Sequence, residues 1–153
     1  MIPIPAPDFI LMGTQGEQSL SALRGAYVVL YFYPRDATPG CTLQTQQFRD
    51  YQRQFAELNT VILGVSRDSM ASHEKFAIKQ QLNFTLLSDP DEQVCLAYEV
   101  IKHKNLYGKP VRGIERSTFL IDPKGLIIAT WRQVKVKGHV EAVLAELSQL
   151  SLG

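Results

Sequence analysis

Residues 27–42 read YVVLYFYPRDATPGCT, and this stretch decides the fold. Its first seven residues are apolar or aromatic without polar alternation, the pattern of a strand covered on both faces of a sheet. A turn-rich loop, residues 34–40, then delivers Cys41 into the first turn of a helix. From residue 41 to 58, Phe48, Tyr51, Phe55 and Leu58 recur at spacings of three and four, which makes one buried helical stripe. Residues 61–65 (VILGV) read as a second buried strand. Strand, helix and strand at this spacing form a parallel crossover, almost always right-handed.

Working outward, Ser69 is a suitable N-cap for a helix reaching about residue 81, with Met70, His73, Phe76 and Ala77 along one face. Residues 84–87 read as a short strand. Asp89 at a cap position, Pro90 at the first helical position and Glu92 three after the cap predict a helix that carries Cys95. Residues 118–121 and 126–131 flank Asp122-Pro123-Lys124-Gly125, hence an antiparallel hairpin. Val140, Val143, Leu144, Leu147 and Leu150 mark the last amphipathic helix. The fold class expected is α/β, a thioredoxin-like fold with a mixed central sheet flanked by helices. With no repeat or linker, residues 1–153 read as one domain.

Composition narrows the function classes. The longest apolar run, residues 26–33, is too short for a spanning helix of about 20 residues, so no membrane partner is expected. The start lacks the charged and apolar regions of a secretory signal, which points to a cytoplasmic protein. A formal net charge of +1 gives no field for gathering nucleic acid. The charge is uneven: residues 99–139 carry +6 and the remainder −5. That asymmetry reads as a solvated loop and hairpin face, or as a surface that steers an acidic partner. Two cysteines, Cys41 and Cys95, make neither a disulfide framework nor a zinc site, and no Cys-x-x-Cys occurs. His73 reads as a packing or surface residue. His103 and His139 have no metal-ligand spacing, and no metal or cofactor is expected.

Cys41 is the candidate nucleophile. The first N–H groups of a helix are unpaired and carry partial positive charge, which favours a thiolate over a thiol, and loops at the carboxyl ends of parallel strands form the usual ligand crevice. Ionisation alone supplies little rate, so donors aimed at charge developing on a substrate oxygen are needed. Thr38, three residues before Cys41, and Arg116, just before residues 117–121 (STFLI), are the natural donors. Two plainer readings stand beside them: Thr38 as a turn residue, and Arg116 paired with Glu115 or Asp122 on the surface.

Residues 33–42 (YPRDATPGCT) resemble the active-site loop of peroxiredoxins, and Thr-Pro-Gly-Cys-Thr most resembles the bacterioferritin comigratory, or Q-type, subfamily. Residues 86–90 (LLSDP) and 116–122 (RSTFLID) are similar to later segments of that subfamily. Pro7-Asp8-Phe9 resembles its amino-terminal strand, so the fold is expected to carry an N-terminal strand extension. The resemblance implies a thiol-dependent peroxidase for hydrogen peroxide and organic hydroperoxides, re-reduced by thioredoxin or a small thiol. It implies that Cys41 is the peroxidatic cysteine, that Thr38 hydrogen-bonds thiolate and peroxide, that Arg116 steadies the thiolate and transition state, and that Pro34 shields the sulfur from water.

The chain departs from the family at the resolving cysteine. The position five after Cys41 holds Gln46, and the other usual position holds Ala77. Only Cys95 remains, in apolar company, where a buried small hydrophobe is the first reading and a resolving role the second. A one-cysteine mechanism is therefore expected; the protein is separately expected to be a monomer or weak dimer. A redox sensor that signals through Cys41, or a thiol-disulfide oxidoreductase, are the other readings of the same residues.

Overall fold

The computed structural model describes residues 2–151. The chain runs β1 (Ile4–Pro5), β2 (Ile10–Leu11), β3 (Gln18–Ser19), a 3₁₀ turn (Ser21–Leu23), β4 (Tyr27–Phe32), α1 (Pro39–Glu57), β5 (Thr60–Ser66), α2 (Met70–Lys79) and β6 (Thr85–Ser88). It continues through α3 (Gln93–Ala97), β7 (Ile101–Leu106), β8 (Lys109–Ile114), β9 (Ser117–Ile121), β10 (Leu126–Trp131) and α4 (His139–Ser151). Six strands form one mixed sheet in the order β1-β10-β9-β4-β5-β6. β4 pairs in parallel with β5 and antiparallel with β9, so the all-apolar stretch lies between two neighbours as its composition requires.

Alternation along β4 divides the core in two. Val28, Leu30 and Phe32 point to one face, where Phe119, Ile121, Val94, Cys95 and Tyr98 pack. Val29 and Tyr31, with Tyr33 just beyond the strand, point to the other, against Cys41, Phe48 and Phe55 of α1, Phe76 of α2 and Val143 and Leu147 of α4. Gly64 of β5 pairs with Tyr31, and a Cβ there would lie 2.8 Å from the Tyr31 ring. Only glycine leaves room for that ring, which stacks on Phe48 at 4.5 Å and bonds Thr45 of α1 through its hydroxyl at 3.0 Å. Strand and helix are thereby fixed next to Cys41.

Three local expectations are corrected. The helix carrying Cys95 begins at Gln93, not behind a cap at Asp89, because Glu92 takes a left-handed conformation (φ 62°) and its carboxylate is drawn to Arg67 and Arg112. Asp89 still serves that helix, from farther out: its Oδ2 accepts from the Cys95 N–H at 2.7 Å. Residues 7–9 are not a strand, since Asp8 turns its carboxylate onto the N–H groups of Phe9 and Ser21, both at 2.9 Å. The N-terminal extension is instead β1, paired with β10, followed by the β2–β3 pair. Finally, β6 is Thr85–Ser88, one residue later than the apolar pattern suggested.

Candidate active site

Cys41 is the third residue of α1, after Thr38 at the N-cap and Pro39 at the first helical position. Proline fits there because its missing N–H would have had no helical partner. Cys41 is 1% exposed. Arg116 comes from the two-residue link between β8 and β9, seventy-five positions away in sequence, and its Nη2 donates to Cys41 Sγ at 3.3 Å. Its Nη1 donates to Gln44 Oε1 at 2.7 Å. The Arg116 carbonyl accepts from the Val134 N–H at 3.0 Å, so the link is pinned by the segment after β10. A Cβ on Gly40 would come within 3.2 Å of Nη2; the glycine of the Pro-Gly-Cys run gives the guanidinium its berth.

The plainer reading of Arg116 does not hold. Glu115 faces Arg132 at 3.9 Å, and Asp122 lies at the far end of β9, accepting from the Lys124 and Leu126 N–H groups in its turn. Among the described residues no carboxylate pairs with Arg116, whose charge is left for the sulfur. A charge-assisted hydrogen bond of this kind favours negative charge on sulfur and on an oxygen arriving beside it.

Thr38 sits in the loop as expected, half-buried, but its hydroxyl donates to the Arg35 carbonyl at 3.0 Å. Its own carbonyl accepts from the Thr42 N–H at 2.8 Å and starts the helix. Pro34 is exposed and lines a cleft of about 350 Å³ with Arg35, Arg67, Gly113 and Glu115. Cys41 belongs to the buried cluster that includes Tyr31, Tyr33 and Phe48.

Two groups were not legible in the sequence. Gln44 is fully buried, holds Arg116 through its carbonyl oxygen and leaves its amide nitrogen without a partner. Its place three after Cys41, on the same helical face, was the only signal. The second is His73, which is no surface residue: it is fully buried, with Nδ1 2.7 Å from Asp36 Oδ2 and Nε2 2.9 Å from the Leu87 carbonyl. Asp36, Asp68 and His73 bring one ligand atom each within 4.8 Å of one another. Those atoms are occupied by hydrogen bonds within the protein. His139, buried behind the site, shares a hydrogen bond with Thr118 at 2.7 Å. Burial and the nearby Arg116 charge push it down to about 4.

Cys95 occupies the opposite face of the sheet and is fully buried. Burial, a hydrogen bond to Asp89 and the Asp89 charge push its thiol far above the ordinary range. A disulfide needs Cα atoms within about 7 Å, and here a layer of sheet separates the two cysteines. No helix among the described residues is long and apolar enough to cross a membrane.

Comparison with known proteins places relatives around this geometry. A model described as the AhpC/TSA family matches residues 3–130. Peroxiredoxin Bcp of Bacillus subtilis is 51% identical over 147 residues, covering 95% of this chain and 94% of that protein. Peroxiredoxin Bcp of Xanthomonas campestris is 49% identical over 152 residues, covering 96% and 94%. A solved structure of the Xanthomonas campestris bacterioferritin comigratory protein, described with alkyl peroxide reduction activity, superposes with a TM-score of 0.90 at 48% identity, covering 94% of this chain and 92% of that one.

Proposed function

The chain belongs to the AhpC/TSA family as a peroxiredoxin, a thiol peroxidase, and on that premise we propose that Cys41 is its peroxidatic residue. The observation that carries this reading is the 3.3 Å hydrogen bond from Arg116 to a sulfur held in the first turn of α1. The thiolate attacks one oxygen of the peroxide; the S–O bond forms as the O–O bond breaks. The departing oxygen takes a proton and leaves as water or an alcohol, and Cys41 is left as a sulfenic acid. Sulfur is oxidised and peroxide reduced by the same electron pair. The Arg116 guanidinium and the backbone N–H of Cys41 stabilise the charge that moves onto oxygen. Thr38 joins them when its hydroxyl turns from the Arg35 carbonyl to the incoming peroxide, and Pro34 forms the outer wall that limits water.

Reduction takes a one-cysteine course. An external thiol attacks the sulfenic sulfur, water leaves, and a second thiol exchanges with the mixed disulfide to restore Cys41. The family reduces peroxides at the expense of thiols; here the donor is thioredoxin or a small thiol. The chain acts as one catalytic domain in the cytoplasm, as a monomer or weak dimer. Supporting this course, Cys95 lies on the other face of the sheet with its thiol held protonated by burial and Asp89.

The test is Cys41→Ser. Peroxide consumption with excess thiol is expected to vanish while far-UV circular dichroism stays as in the parent. Turnover retained by this variant overturns the reading. Intact mass after one equivalent of peroxide reports the product, with a single oxygen adduct expected on Cys41.

A further inference from the structure

The loop that leads into Cys41 is tethered at Asp36, away from the atoms that meet peroxide. Asp36 is 7% exposed and His73 0%. Asp36 Oδ1 accepts from the Tyr33 hydroxyl at 2.6 Å, and Oδ2 accepts from Ser72 Oγ at 2.8 Å while lying 2.7 Å from His73 Nδ1. Its N–H donates to Asp68 Oδ2 at 2.9 Å. A carbonyl only accepts, so a proton sits on His73 Nε2 to meet Leu87, and a further proton lies between Nδ1 and Oδ2. Burial raises the Asp36 carboxyl, but the bonds from His73, Tyr33 and Ser72 outweigh it and hold the group below the usual carboxylate range. Beside this anchor, Ala37 is held in a left-handed conformation (φ 65°), and Pro34 and Arg35 are exposed. One carboxylate thus ties the loop to α2 and, through His73, to β6.

The tether bears on the second half of the cycle. Cys41 is 1% exposed, and a thiol reductant is bulkier than a peroxide, so its approach to a sulfenic sulfur is the more obstructed of the two. The external thiol needs residues 36–42 to move outward, a local opening with its own equilibrium. Moving Asp36 outward with them separates it from His73 and leaves buried polar groups unpaired. We propose that the Asp36–His73 pair is the latch of the Cys41 loop, a positioning device that sets how often the loop opens and so divides the sulfenic acid between capture by thiol and oxidation by a second peroxide. This rests on the reading of Cys41 as the peroxidatic residue.

Asp36→Asn removes the charge with little change in shape, and Ser72→Ala removes one donor while leaving the pair itself. Hydrogen exchange of the Asp36 and Thr42 amides is expected to quicken at least tenfold in Asp36→Asn and two- to threefold in Ser72→Ala. The ratio of thiol capture to sulfinic acid, read by intact mass under mixed 2-mercaptoethanol and hydrogen peroxide, is expected to rise in the same order. The first peroxide step, followed by stopped flow, is expected to stay within threefold, because the Arg116, Gln44 and Cys41 bonds remain. Should Asp36→Asn fail to fold, Ser72→Ala alone decides. Exchange and partition ratio both at parent values in a folded variant overturn the latch, as does a loss confined to the first peroxide step. The two readings fail separately: absence of any oxygen adduct on Cys41 in the parent protein removes the peroxidatic assignment, whereas an adduct with an unmoved partition ratio removes only the latch.

Discussion

The two cysteines are equally hidden and sit in opposite surroundings. Cys41 and Cys95 are 1% and 0% exposed, and each is the third residue of a helix. The helix under Cys41 has 19 residues and the one under Cys95 has 5, so aligned peptide dipoles accumulate only beneath the first. The charged neighbour differs in sign: a guanidinium 3.3 Å from Cys41 Sγ, a carboxylate bonded to the Cys95 N–H at 2.7 Å. Burial by itself therefore says nothing about the reactivity of a cysteine. What decides it is whether the surrounding dipoles and charges favour the thiolate or the thiol.

Removing the cation takes away the charge that sets the Cys41 site apart, and this carries the largest effect. Arg116→Ala is expected to lower the second-order rate with hydrogen peroxide by more than tenfold, at least about 1.4 kcal/mol of transition-state stabilisation. Thr38→Val is expected to lose more than tenfold as well, and stopped-flow fluorescence measures both; a parent-like rate in either removes that residue from the site. A smaller change in the same cation sharpens the comparison. Gly40→Ala puts a methyl group 3.2 Å from Nη2, displaces the guanidinium without removing it, and is expected to cost roughly three- to tenfold.

The converse variant bears on the other face. Cys95→Ser is expected to keep the peroxidase rate within twofold with a small-thiol reductant, while losing about 1–3 kcal/mol of stability in urea titration, the cost of placing a hydroxyl where a thiol was buried. Peptide mapping that found a Cys41–Cys95 disulfide as the main product breaks the comparison and makes Cys95 a catalytic partner.

Acid separates the two regions in sequence. On the Cys41 face, His139 is pushed down to about 4, so below its ordinary 6.5 the unfolded chain takes up a proton that the folded one resists. Stability is expected to fall as pH drops from about 6.5 to 4 and to fall less in His139→Asn. On the Cys95 side, Arg112 and Arg67 hold Glu92 at about 2 against an ordinary 4.5. Its contribution is present above pH 4.5 and is lost as pH falls toward 2, a limb that Glu92→Gln removes. Urea midpoints at half-unit pH intervals check both. A single acid limb in the parent protein, unaffected by either variant, contradicts the assignment.

By itself the sequence determined what depends on neighbours along the chain. The apolar run at residues 27–33 with no alternation, the stripe from Phe48 to Leu58 and the proline two before Cys41 are local signals, and they place a sulfur at a helix start beside a parallel sheet. Gln46 and Ala77 at the usual resolving positions are equally plain from the string. Tertiary structure decided what depends on partners brought from afar. It chose Arg116 over a surface ion pair, because the β8–β9 link passes over Gly40 and Val134 pins it there. It moved the start of the Cys95 helix to Gln93, because Arg67 and Arg112 draw Glu92 out of a cap geometry that Asp89-Pro90 would otherwise have set. It turned His73 from a packing residue into half of a buried pair with Asp36, thirty-seven positions away. Backbone propensity and hydrophobic period act over a few residues and can be read in order, whereas the pairing of buried polar groups is settled only where the fold brings donor and acceptor together in the absence of water.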